Sequence, residues 1–346
     1  MALPIEDLLA TLTDNEANMR RQFQTPAQAL ACGPVTENDY RKLFMDITFT
    51  DGNGQEKLAV LNAWLNKHEG TRFYIHCKTS KLAFAPPRDR NERFIPLTIN
   101  GLYDLQLQLN PAIYEGLNSV PLRRRQENDI FKKARQVFQA NRNLCEDLVD
   151  VTTVNYQQFS ICADIQLAPA ADIEETHAQI LWEVQRFLTP PVNRYGLDEL
   201  LAKRVPLEQI FHGPVPRLGF FDESELEKSA MPDTGRTIRT SDLIGLIMRV
   251  PGVVSIPKFH LKLTDDPSEK GALWSVDIAP DKLPQLSRTS PIRLFKDVFR
   301  YIPKADEVDA QLLALEQADL AKRQALATAA HDLPLPLGTW RNTGQF

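Results

Sequence analysis

Cysteine is scarce in this chain. The four residues, Cys32, Cys77, Cys145 and Cys162, never stand in CxxC spacing and are scattered over the first half of the 346 residues. That usage fits free thiols in a reducing compartment rather than a disulfide framework or a zinc site. Long apolar runs are also missing. None approaches the roughly 18 residues a membrane-spanning helix needs, so direct membrane insertion is not expected. The N-terminus, MALPIEDLLATLTDNE, is acidic and lacks the basic and apolar regions of a secretory signal. Basic surplus is absent too. Forty Lys and Arg face 45 Asp and Glu, for a net charge of −5, which argues against a nucleic-acid partner. Phosphate loops of the GxGxxG and GxxxxGK[ST] kinds, GxSxG elbows and HExxH pairs do not occur. These absences predict a chain made and assembled in the cytosol, without cofactor or metal.

What is present is ordinary globular material: 43% hydrophobic and 25% charged residues, in a length that suits two or three domains. Residues 1–32 read as a helical arm with Ile5, Leu8, Leu9 and Leu12 on one face. In 34–48, Thr36 and Asp39 form a capping-box signal before Tyr40, Leu43, Phe44 and Ile47. Asp51-Gly52-Asn53-Gly54 is a turn. Strands are predicted at 58–65, 72–78, 93–99 and 103–109, the last alternating Leu105, Leu107 and Leu109 with polar residues. Residues 121–148 form a charged helix opening on Arg123-Arg124-Arg125, with an apolar stripe of Ile130, Phe131, Ala134, Val137 and Phe138.

A second unit follows. Strand 156–167 alternates Phe159, Ile161, Ala163, Ile165 and Leu167. Asp172, with Glu175 three residues on, caps a helix that ends at Thr189-Pro190-Pro191. An insertion rich in Pro and Gly covers 190–238 and contains a short helix near 207–211. A helix over 243–250, a turn at Gly252 and two further strands complete the unit. After Pro291 the chain is predicted to turn helical, and 305–331 reads as one helix of about 27 residues, roughly 40 Å long. The fold class is α+β and multidomain, with small mixed or antiparallel sheets, packed helices and long helical joints.

No group of side chains assembles a catalytic site in sequence. His76 and Cys77 are adjacent in a strand and point to opposite faces. Asp277 with Asp281, or Asp164 with Asp172, are carboxylate pairs without a neighbour that would raise a pKa. Arg123–Arg125 read as a solvated helix start or as a contact for phosphate or an acidic partner. Phe220-Phe221, in the insertion, either fold back on the core or anchor a neighbouring subunit. With Leu312, Leu315 and Trp340 they make up the candidate interface.

Several patches, taken in order, resemble the baseplate J-like wedge proteins of extracellular contractile injection systems, the phage-tail-like particles that include anti-feeding prophages and virulence cassettes. They are Gly33-Pro34-Val35-Thr36 through Asp39-Tyr40, Val60-Leu61-Asn62-Ala63-Trp64-Leu65, Gly101-Leu102-Tyr103-Asp104, Ala163-Asp164-Ile165, Arg186-Phe187-Leu188-Thr189-Pro190, Ile238 to Ile244, Val250-Pro251-Gly252-Val253, and Asp332-Leu333-Pro334 with Gly338-Thr339-Trp340-Arg341. The resemblance implies a non-enzymatic subunit that pairs with a second wedge protein and meets hub, spike, sheath and tube components in a sixfold assembly, in a particle that can be released from the cell. It implies no catalytic, cofactor or metal residue. Family members are often much longer than this chain. The expected organisation is an arm (1–32), an α+β wedge domain (33–120), a connecting helix (121–150), an α+β baseplate J-like domain (151–290), and a long helix with a C-terminal extension (291–346). Two other readings stay open: a wedge protein of a contractile-tailed phage or type VI secretion baseplate, and a hydrolase whose site collects His212, His260 and carboxylates in space.

Overall fold

The capping signal at Thr36 is realised. Its hydroxyl accepts from the Asp39 backbone N–H at 3.3 Å, and the Asp39 carboxylate takes the Thr36 N–H at 2.9 Å. The computed structural model describes residues 25–324 apart from 53, 69–71, 84–92, 99, 231–235, 265–273, 280–281 and 288–289. Residues 1–24 of the arm expected over 1–32, and the C-terminal extension with Trp340, lie outside the described residues.

The first unit begins with helices α1 (Pro26–Leu30) and α2 (Glu37–Met45) and strands β1 (Thr48–Thr50), β2 (Glu56–Leu58) and β3 (Val60–Lys67). A separate small sheet follows, formed by β4 (Arg72–His76), β5 (Leu82–Ala83) and β6 (Phe94–Thr98) in the order β5-β4-β6. The chain then returns through β7 (Leu102–Leu109), a 3-10 turn at Pro111–Tyr114, α3 (Val120–Asn141) and β8 (Asp147–Thr153). Strand β7 pairs antiparallel with β3 and parallel with β8, so α3 is the crossover of a β-α-β unit. The apolar stripe of α3 fulfils that role: Ile130, Ala134 and Phe138 are buried in one cluster with Phe44, Leu105 and Leu107. The helix is shorter than the sequence suggests. It ends at Asn141, and residues 142–148, expected as its last turns, instead leave the helix and enter the strand Asp147–Thr153. Five β-branched residues or leucines in seven positions (Leu148, Val149, Val151, Thr152, Thr153) favour that outcome.

The second unit is organised by β9 (Asn155–Leu167). It is long enough that one of its edges holds two parallel strands in succession while the other edge pairs antiparallel with β13 (Val253–Leu263). The alternating residues Phe159, Ile161, Ala163, Ile165 and Leu167 all lie in the core. Helix α4 (Ile173–Leu188) covers that core, capped by Asp172, which accepts from the Glu175 N–H at 2.9 Å. The insertion is more ordered than its composition suggests. It contains β10 (Arg194–Tyr195), α5 (Leu197–Ala202), α6 (Leu207–Ile210), β11 (Phe220–Phe221) and α7 (Glu223–Lys228). Then come β12 (Arg236–Arg239) and α8 (Thr240–Ile247), whose N-cap is Arg239 without a side-chain cap. Gly252 makes the turn into β13 with φ +92°, where a Cβ would stand 2.7 Å from the Ala171 side chain. Strands β14 (Ser275–Ile278), β15 (Lys282–Leu286), β16 (Ile292–Lys296) and β17 (Phe299–Tyr301) lead to α9 (Ala305–Gln324).

The helical expectation after Pro291 is corrected here. Residues 292–301 form a hairpin that extends the main sheet to the order β13-β9-β16-β17. Alternation of Ile292 and Leu294, both buried, with exposed Arg293 decides for strand. Helix α9 then packs back on α4, burying Val308 and Leu312 in the second core.

Candidate assembly surfaces

The described residues hold no group of three His, Cys, Asp or Glu side chains able to bind a metal ion. Three of the four carboxylates named from the sequence have a structural partner. Asp164 pairs with the Arg293 guanidinium, Asp172 caps α4, and Asp277 accepts from the Thr237 hydroxyl at 2.6 Å. Residue 281 lies outside the described residues. His212 faces Asp39 at 3.7 Å from a loop of the insertion, whereas His260 sits on β13 opposite Cys162, in the sheet of the second unit. His76 turns its ring to Phe94 and Thr79. Among the described residues no helix is long and apolar enough to cross a membrane.

What the structure does concentrate is polar junction. Arg41 is fully buried on α2. Its guanidinium donates to the carbonyl of Ala63 at 2.7 Å, to Asn38 Oδ1 at 3.0 Å, to the carbonyl of Leu226 at 2.8 Å, to Asn62 Oδ1 at 3.0 Å and to Ser229 Oγ at 2.7 Å. All five donors of the fork are used. Burial lowers its pKa to about 10, against the pull of Glu37. At pH 7 the charge therefore persists, satisfied by carbonyl, amide and hydroxyl oxygens rather than by a contacting carboxylate.

Arg194, on β10 of the insertion, makes the reciprocal contact. It pairs with Asp46 at 2.9 Å, donates to the carbonyls of Met45 and Leu218, and lies 4.6 Å over the Phe221 ring. Lys42 adds a bond to the His212 carbonyl at 3.0 Å. Asp39 sits beside this contact. Burial would raise its carboxyl, but the N–H groups of Thr36 and Val35, the Thr36 hydroxyl and Lys42 hold it below the ordinary value. Gly213, with φ +76°, lets the insertion close against that carboxylate, where a Cβ would overlap it. The insertion of the second unit thus completes the first. Val192, Phe221 and Leu226 belong to the first unit's core.

Trp64 joins the two units. Its ring is buried with Val154 and Leu283, one residue from each side of the joint and one from the link, and its Nε1 donates to the Ser229 carbonyl. The cavity beside it, lined by Asn62, Trp64, Thr189, Ser229 and Pro284, holds about 30 Å³, room for one water and not for a substrate.

The candidate interface residues fall in different places. Phe220 is fully buried with Phe211 and Leu200, and Phe221 is buried in the first core, so both serve the chain's own packing. Their insertion is Pro- and Gly-rich in sequence yet short-stranded in space, which buries the rings. Leu312 faces α4 and is buried, and Leu315 is half-buried. Trp340 lies outside the described residues. Exposed apolar groups occur where sequence reasoning did not place them. Val298, Phe299 and Ile302 are 88%, 70% and 82% exposed on the β16–β17 hairpin, and Leu313 is 52% exposed on the outer side of α9. Leu82, Ile95 and Leu97 are exposed on the small sheet. The sequence signal for the hairpin is Val298-Phe299 directly after Lys296-Asp297, a polar turn with two large apolar residues at its exit.

Two family descriptions divide the chain between them. "Baseplate wedge Pvc12-like domain 2" matches residues 32–153 and "Baseplate wedge Pvc12-like domain 3" matches 155–303. The chain belongs to the Pvc12-like baseplate wedge family. Val154, the residue between the two matched ranges, is the one that packs against Trp64. No curated protein matches the chain. Among solved structures, it is similar to a chain of the "Cryo-EM structure of the anti-feeding prophage (AFP) baseplate, 6-fold symmetrised", at 19% identity and a TM-score of 0.53. That likeness covers 83% of this chain and 46% of the other, so the present chain spans about half of that subunit. At this identity it speaks for a shared fold. The Pvc12-like matches make this chain a pair of baseplate wedge domains.

Proposed function

We propose that this Pvc12-like chain is a structural subunit of the baseplate, linking the central hub and spike to sheath and tube components, and that it has no catalytic role. The observation that carries this is the pair of wedge-domain matches filling residues 32–153 and 155–303. The sixfold baseplate in which its structural neighbour was solved supports assembly with other baseplate proteins in a ring. A second wedge protein would seat on the outer side of α9 around Leu313 and on the hairpin around Val298 and Phe299, with Ile302 just past its last strand, because exposed apolar groups of this kind mark protein contacts. The buried junctions of Arg41, Arg194 and Trp64 suit a part that transmits movement as a stiff body. Receptor engagement would rotate whole wedges and so release the sheath.

The test is incorporation. Tagged wild-type chain and a Phe299→Asp/Leu313→Asp variant are expressed in cells making the particles, and purified particles are probed for the tag. The proposal expects the wild type in every preparation and the folded variant left in the soluble fraction. Equal incorporation of both would remove these surfaces from the proposal, and absence of the wild type from particles would overturn it.

A further inference from the structure

The hairpin β16–β17 leaves the main sheet with an open edge. The order β13-β9-β16-β17 puts β17 at the border, and residues 290–324 are described without a break. Lys296 pairs with Phe299 across the two-residue turn Asp297-Val298, and Asp297 takes the positive φ, +52°, of a tight hairpin turn. The residues flanking such a turn form a hydrogen-bonded pair, and bonded pairs alternate with unbonded ones. Phe295 and Arg300 are therefore the unbonded pair, and Arg300 directs both its N–H and its C=O away from β16. Among the described residues no strand stands on the far side to meet them.

The side chains beside that edge are uncovered as well. Opposed residues share a face, so Phe299 and Tyr301 lie on the face of Leu294, which is buried in the second core. Phe299 is nonetheless 70% exposed and Tyr301 39%, because the helix layer over that core stops short of β17. On the opposite face Arg293 is paired with Asp164, whereas Arg300 is exposed and has no ion pair among the described residues. Sheets protect their edges with lysine, proline, bulges or very short strands. The other edge strand, β13, carries Pro257, Lys258 and Lys262 and two register shifts against β9. Strand β17 has only its three-residue length and Arg300, and it is bracketed by the exposed Val298 and Ile302. One edge of the sheet is thus guarded, and the other presents unpaired backbone between apolar groups.

We infer that β17 is the acceptor edge for a β-strand from a different subunit of the assembly. That extended segment bonds to the Arg300 backbone, sets apolar side chains beside Phe299 and Tyr301, and places an acidic residue against the Arg300 guanidinium. A helix would not serve, since its own N–H and C=O groups are bonded internally. The inference rests on the assembly role proposed above and deepens it at the hairpin, but its test uses the isolated full chain, so the two can fail separately.

A labelled peptide of about nine residues, alternating Thr and Val around a central Glu, is titrated against the chain by fluorescence anisotropy. One control peptide has Lys for the Glu, and another has Pro at every second position and so cannot supply ladder donors. The expected result is saturable binding of the Glu peptide, at least about tenfold weaker binding of the Lys peptide, and none of the Pro peptide. Arg300→Pro removes the outward N–H without touching a bond to β16, and should weaken binding at least about tenfold with melting unchanged. Arg300→Glu should switch the preference to the Lys peptide. Leu313→Asp, on α9, should bind like wild type. Failure of the Glu peptide to bind, or equal binding of the Pro peptide, overturns the inference however the variants fold. So does equal binding by a folded Arg300→Pro chain. Self-association of the chain that Arg300→Pro abolishes, without peptide binding, also overturns it and would make the occupant a second copy.

Discussion

The Trp64 indole donates its Nε1–H to the carbonyl of Ser229 at 2.9 Å, across 165 residues of sequence. Ser229 also accepts from Arg41 through its hydroxyl, at 2.7 Å. One residue at the end of the insertion thus holds both the strand that carries the joint and the helix that caps the first unit. Trp64→Ala should destabilise the protein by about 3–5 kcal/mol, the usual range for emptying a buried tryptophan site. Chemical unfolding followed by fluorescence and circular dichroism should then lose its single transition, because the two units share fewer contacts. Trp64→Phe keeps the volume in large part and should cost less, on the order of 1–3 kcal/mol for the orphaned carbonyl.

Arg41 and Arg194 lock the insertion from opposite sides, and their removal should not be equivalent. Arg194→Ala strands the nearly buried Asp46 without its cation and should cost about 3–5 kcal/mol. Arg41→Met leaves carbonyls, which are less costly to orphan than a charge, although several lose their donor together. Arg41→Lys supplies three donors where five are used and should restore only part of the loss. Urea midpoints of the four proteins, wild type included, test the order.

His177 provides a pH dependence with a defined sign. Both ring nitrogens are buried without a hydrogen-bond partner among the described residues. Burial lowers its pKa below 6.5, with Glu174 pulling the other way. The unfolded chain therefore binds a proton more readily than the folded one. Above pH 6.5 the residue is neutral in both states and contributes no slope. As pH falls below 6.5 towards the lower folded value, stability is lost. His177→Gln should flatten that part of a melting-temperature profile measured from pH 7.5 to 5. An unchanged profile would assign the slope to other groups.

Leu312 and Leu313 are neighbours with opposite duties. Leu312→Asp places a charge in the second core and should lower stability by several kcal/mol. Leu313→Asp, on the exposed side, should stay within about 0.5 kcal/mol of wild type. Thermal melts separate the two. Loss of a partner after Leu312→Asp would report unfolding of the docked helix and says nothing about a contact surface.

Much of the framework was legible because it rests on local chemistry. The Thr36 and Asp172 caps, the alternation along β7 and β9, and the stripe of α3 each follow from residues a few positions apart, and each is realised in the structure. The burial of Phe220 and Phe221 was not decided by sequence. A Pro- and Gly-rich stretch gives no period from which to read a face, and both readings stood. Arg41 and Arg194 were invisible for another reason. An arginine on an amphipathic helix reads as solvated, and the acceptors that bury Arg41 lie up to 188 residues away. The helix expected after Pro291 failed because ten residues can satisfy either period. The edge of β9 left open beyond β15 decided for strand.

The most direct test of the central claim is deletion of the gene in a strain that makes the particles, with negative-stain electron microscopy of what remains. A baseplate wedge protein predicts loss of assembled sheathed particles, with free tube or hub fragments left behind and assembly restored by the wild-type gene. Normal particles that still contract would contradict a structural role in the baseplate.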